Sequence, residues 1–159
     1  MTRRSAVRDP WVWGQVTLFA LVLAGVPWAA AQRGTPDPAG TARWVGGMLI
    51  ALGLGTLWAG IAALGRNLTP ATQPLAEGRL ITGGVYRLVR HPIYTGICVA
   101  LGGYGLLRGG WAIGAVVFAV ALAYFEGKAR VEERWMTERA PEYAEYRRRV
   151  PRLLPGGWH

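Results

Sequence analysis

Apolar residues fall into four runs, over about 11–31, 45–64, 93–107 and 111–125, separated by polar or glycine- and proline-rich breaks. The first two reach the roughly 20 residues that a helix needs to cross a bilayer core. The last two hold about 15 residues each, roughly 22 Å of helix against a hydrocarbon core of roughly 30 Å. Their helices must continue beyond the apolar stretch, or their polar ends must dip below the headgroups. Arg108-Gly109-Gly110 joins them and is too short for anything but an antiparallel helical hairpin. The pattern predicts an all-α polytopic membrane protein, a single domain over 1–159. It would have four transmembrane helices, a site loop over 65–92 and a helical cytoplasmic tail over 126–159.

Within the second run, Gly47, Ala51, Gly55, Ala59 and Ala63 recur every four residues and predict one close-packing helix face. Gly53 and Gly60 lie off that face and are expected to make room for a bound cofactor or lipid. Residues 67–84 hold two prolines and three glycines, which exclude a continuous helix. Leu80-Ile81-Thr82 is expected to be extended. Pro92 suits the first turn of the third helix, whose N-terminus is expected to attract a carboxylate or phosphate. From Ala121 to Arg139 there is no proline, so the last helix is expected to run on past the apolar stretch. Glu126–Arg130 and Lys128–Glu132 are spaced for ordinary i, i+4 support. Glu132 and Glu133 point about 100° apart, with one expected to face solvent and the other the site. Pro141 then predicts a short amphipathic helix carrying Tyr143, Tyr146 and Val150, ended by Pro151 and Pro155.

Charge orients this picture. The net charge is +9, yet only 17% of residues are charged and 52% are hydrophobic. The basic residues flank the apolar runs without interleaved aromatics, which argues against a nucleic-acid partner. With four spans, the side holding both termini and the middle loop carries 15 of the 18 Lys and Arg residues, the other side only Arg33, Arg43 and Arg108. That bias predicts cytoplasmic termini, with a bacterial or archaeal inner membrane the expected location. Trp11, Trp13, Trp28, Trp44 and Trp111 fall at run ends, as an aromatic belt does. Thr2-Arg3-Arg4 with Ala29-Ala30-Ala31 has some look of a cleaved signal. Asp9-Pro10 and two tryptophans interrupt it, and no soluble domain follows for export, so a retained span is expected. The lone Cys98 sits in an apolar run and reads as an inert buried thiol.

The chemistry concentrates in residues 84–96, where two arginines, a histidine and two tyrosines abut an apolar span. Polar groups at that position suggest a site handling a polar molecule at the membrane face. Gly84-x-Tyr86-x-x-x-Arg90-His91-Pro92-x-Tyr94-x-Gly96, then Glu132-Glu133, then Tyr143-x-x-Tyr146-x-x-x-Val150-Pro151-Arg152-x-x-Pro155, resemble the integral-membrane methyltransferases. That superfamily includes isoprenylcysteine carboxyl methyltransferase and the phospholipid N-methyltransferases. The likeness is detailed over the C-terminal half and rests on hydropathy alone for the first two spans. Arg139-Ala140-Pro141 stands where the family usually has Phe-Gly.

The resemblance implies S-adenosylmethionine as cofactor and a lipid-like or small hydrophobic acceptor: a prenylcysteine-type carboxylate, a thiol or a phospholipid amine. It implies cofactor contacts from His91, Pro92, Tyr94, Gly96, Glu132 and Glu133, with Arg90, Arg130 and Glu133 acting on the acceptor and no metal. The carboxylates would accept from ribose hydroxyls or the amino group, and an arginine would orient an anionic acceptor. A non-catalytic lipid-binding or assembly subunit that retains the fold is the alternative.

Overall fold

The computed structural model describes residues 9–32, 40–65 and 80–156, all helix, turn or extended connection. Arg3, Arg4, Arg8, Arg33, Arg66 and Arg79 of the charge count lie outside them, as does most of the loop after the second run. Helix α1 spans Pro10–Gln32 and contains a π-helical turn at Leu21–Gly25. Helix α2 spans Thr41–Leu64, helix α3 Pro92–Arg139 and the short helix α4 Tyr143–Arg149. A 3₁₀ turn at Gly84–Arg87 precedes α3. Three of these helices, with the third taken as 92–138, are long and apolar enough to cross a membrane.

The third is not one rod. Gly110 sits at φ 79°, ψ −174°, and there α3 folds back on itself. Side chains would suffer at that φ, so the turn needs its glycine. A Cβ on Gly102 would meet Phe118 and one on Gly105 would meet Val117, which shows the two arms lying antiparallel. The first arm, 92–109, is about 27 Å long. The second runs unbroken to Arg139. The second arm thus far outlasts its apolar stretch, as expected, while the first extends its own by only three residues.

α2 lies against the first arm at very short range, and the face it uses differs from the expected one. A Cβ on Gly53 would fall 2.5 Å from the Ala100 nitrogen and 2.6 Å from the Gly96 oxygen. Gly46 is equally close to Gly103, and Gly60 to Ile93 and Pro92. The packing glycines thus recur every seven residues and leave no room for a cofactor or lipid at Gly53 or Gly60. Gly47 and Gly55, from the expected ladder, have nothing within 4 Å. Gly53→Leu is expected to destabilise the protein by about 1–3 kcal/mol or more through overpacking. Gly47→Leu should stay within about 0.5 kcal/mol of the parent. Thermal unfolding in detergent compares the two, and equal losses would contradict this packing.

α1 is held by polar as well as apolar contacts. Asp9 caps it by accepting from the Trp11 backbone N–H at 2.9 Å, with Pro10 in the first turn. Pro27 has no N–H to offer the Leu23 carbonyl, and the Tyr104 hydroxyl of α3 donates to that carbonyl at 3.0 Å. Leu18 and Val22 pack with Cys98, Leu101, Val117, Ala121 and Phe125, so the core lies between α1 and both arms of α3. Leu153, far along the chain, closes the same core. Trp13, Trp28, Trp44 and Trp111 are exposed, as a belt requires, whereas Trp11 packs on Tyr124 and over Gly127.

Candidate functional site

The hairpin brings the start of its first arm beside the far part of its second. Tyr94 stacks on buried Phe125 with ring centroids 4.8 Å apart, and this aromatic layer ends the apolar core. Beyond it lie Arg90 and His91 on one side and Glu132 and Glu133 on the other. The tail closes the cluster: the backbone N–H groups of Arg90 and His91 donate to the carbonyls of Pro151 and Arg152 at 2.9 and 3.0 Å. The Thr95 hydroxyl donates to Leu153 O at 2.6 Å. The start of α3 is therefore sealed by the tail and, through fully buried Pro92, by α2. It is not the open anion site that its position suggested.

Glu133 is the hub. Arg90 grips it with a fork, Nε to Oε1 at 2.8 Å and the second contact at 3.4 Å. His91 Nε2 lies 3.2 Å from the same Oε1, and Arg152 reaches Oε2 at 2.9 Å. Burial alone would raise the Glu133 pKa, but bonds from His91, Arg152 and Arg90 outweigh it and hold the carboxyl well below its ordinary range. Bonding to this carboxylate requires the hydrogen of His91 on Nε2. Arg90 is also spent elsewhere: it donates to the carbonyls of Arg147, at 2.8 Å, and Val150 at the end of α4. Its side chain is fully buried. It pins α4 and the tail, and all three of its guanidinium nitrogens are engaged by the protein.

Glu132 differs from its neighbour. The Tyr94 hydroxyl donates to Oε1, and His91 Nδ1 stands 3.7 Å from Oε2, beyond hydrogen-bond length. Burial raises the Glu132 pKa; His91, the Tyr94 bond and Lys128 oppose this without cancelling it. Neither glutamate faces solvent, against expectation, because the tail covers one flank of α3 and the first arm the other.

Arg130 and Gly96 do not join the cluster. Arg130 is 64% exposed and pairs with Glu126 on its own helix. Gly96 serves the α2 contact. Three groups that the sequence reading passed over do join it. Arg152 bridges Glu133 and Glu126. Lys128 is buried, donates to Gln15 of α1 at 2.9 Å and lies 5.2 Å over the Tyr94 ring. Arg152 Nε is a buried donor without a hydrogen bond among the described residues, and the Tyr143 hydroxyl, also buried, makes none within 3.5 Å although it lies near the Glu133 carboxylate. Burial first, and the Glu133 charge next, push the Tyr143 hydroxyl up, which keeps it a donor. Tyr143 and Arg152 were visible only as letters of the tail motif, and Lys128 as a surface pair.

The family model for phospholipid methyltransferases matches residues 41–141, which covers α2, both arms of α3 and the two glutamates. The chain belongs to this family. Its curated relatives are distant. Protein-S-isoprenylcysteine O-methyltransferase B of Arabidopsis thaliana is 32% identical over 100 residues, 60% of this chain and 50% of its own length. The cobalt-zinc-cadmium resistance protein CzcN of Cupriavidus metallidurans is 32% identical over 122 residues, 70% of this chain and 51% of its own. The nickel-cobalt-cadmium resistance protein NccN of Alcaligenes xylosoxydans xylosoxydans is 25% identical over 120 residues. The chain spans about half the length of these curated relatives. Family and apolar helices together make it an integral-membrane protein. Among the described residues no group of three or more His, Cys, Asp or Glu side chains is arranged to hold a metal ion.

Proposed function

We propose that this protein transfers a methyl group from S-adenosylmethionine to a lipid-like or small hydrophobic acceptor at the cytoplasmic face of a membrane. The four-span topology belongs to this reading: α1, α2 and each arm of α3 cross once, and the polar cluster lies at the cytoplasmic end. The observation that carries the site assignment is the unequal treatment of two adjacent carboxylates. Glu133 is saturated by protein cations, while Glu132 keeps acceptor capacity beside the aromatic layer.

The donor set fits the cofactor. Its amino group and ribose hydroxyls need acceptors, and Glu132 supplies them. Its carboxylate needs donors, and the Tyr143 hydroxyl and Arg152 Nε are two. When bound, S-adenosylmethionine supplies an electrophilic methyl on a sulfonium, passed in line to the acceptor. The remaining work is positioning and exclusion of water. Tyr94 and Phe125 form the apolar floor, the Tyr94 hydroxyl orients Glu132, and Glu133 with Arg90 locks the tail over the site. Arg130, exposed and paired with Glu126 on its own helix, would have to exchange that carboxylate for an anionic acceptor.

The test is incubation of purified protein with radiolabelled S-adenosylmethionine and membrane extract. Label is expected in the organic-extractable fraction; label only in water-soluble products would refute the lipid-like acceptor. A second reading, a non-catalytic subunit retaining the fold, draws on the two relatives named for metal resistance. Absence of calorimetric binding at millimolar S-adenosylmethionine would favour it.

A further inference from the structure

The elements around the cluster carry several exposed arginines. Arg87 precedes α3, Arg134 lies on its second arm, and Arg147 and Arg148 lie on α4; all four are exposed. None is paired with a carboxylate among the described residues, whereas exposed Arg130 and Arg149 are matched by Glu126 and Glu145. Next to Arg87, Leu88 is 64% exposed, although its neighbours Tyr86 and Val89 are buried. A bare leucine beside unpaired arginines, a few residues from where an apolar helix begins, is the pattern of a surface lying on headgroups.

The same elements hold the site on their inner side. The Tyr146 hydroxyl of α4 donates to Tyr86 O at 2.6 Å, and the carbonyls of Arg147 and Val150 receive Arg90. Whatever fixes the outer arginines fixes Tyr86, Tyr146 and Arg90 with them. α4 has only seven residues, too few to hold its helix unaided.

We propose that Arg87, Arg147 and Arg148 form a docking surface for the anionic headgroups of the surrounding bilayer, which brace α4 over the site. The occupant is the lipid surface, because Leu88 adds an apolar anchor that a free phosphate would not use. This rests on the cytoplasmic-face placement in the functional reading, but its test needs no methyl transfer.

Purified protein without cofactor is placed in nanodiscs of phosphatidylcholine alone or with phosphatidylglycerol, and amide exchange of Tyr143–Arg149 is followed. Exchange is expected to slow about fivefold or more with the anionic lipid. The triple variant Arg87→Gln, Arg147→Gln, Arg148→Gln should lose the difference, while protection of α3 reports that it is folded. Equal exchange in the two discs would overturn the proposal. So would equal slowing by inorganic phosphate in neutral discs, which would indicate a simple anion site.

Discussion

Glu133→Ala is expected to cost the fold about 3–5 kcal/mol, because it leaves the buried Arg90 guanidinium without its counter-charge. Arg90 and Glu133 have side chains 0% and 4% exposed, so solvent screening offers little relief. The loss should appear as a lowered melting temperature in detergent and as proteolysis within the tail, since Arg90 would no longer be held where it donates to Arg147 O and Val150 O. The pH dependence has a definite sign. The folded carboxyl titrates well below its unfolded range of about 4.3, so its stabilisation is complete above that range and fades as pH falls toward the folded value. Glu133→Gln should flatten that acid limb. A variant that melts with the parent at neutral pH would disprove the hub role.

Glu132→Gln should behave in the opposite way. Its Oε1 still accepts from Tyr94, so the fold should survive with a melting temperature near the parent's. S-adenosylmethionine affinity, by calorimetry, is expected to fall tenfold or more, the usual worth of a hydrogen bond to a charged acceptor. Unchanged affinity in a folded Glu132→Gln protein would remove Glu132 from the cofactor site. The pair of variants separates holding the site together from holding the cofactor.

The meeting of Arg90-His91-Pro92-x-Tyr94 with Glu132-Glu133 was legible, because a two-glycine turn between equal apolar runs leaves only one way to fold. The continuation of the second arm was legible from the proline-free stretch that follows its apolar run. The packing face of α2 was not. In lipid the exposed face of a helix is as apolar as the packed one, so Gly47/Gly55 and Gly46/Gly53/Gly60 look alike until the neighbour's position is known. Lys128 was misread for a related reason: its i, i+4 spacing to Glu132 is real, but Gln15, 113 residues away, buries it. Arg152 was hidden in the same way, with its carboxylates supplied by another helix.

The turn at Gly110 also bears on how such a chain enters a bilayer. In the proposed four-span topology, a hairpin inserted tip first would carry only Arg108 across, and every other charge of residues 84–156 would remain on the side where it was synthesised. The two halves of the polar cluster need not find each other across a membrane. They start out on the same side, and closing the hairpin is enough to bring them together.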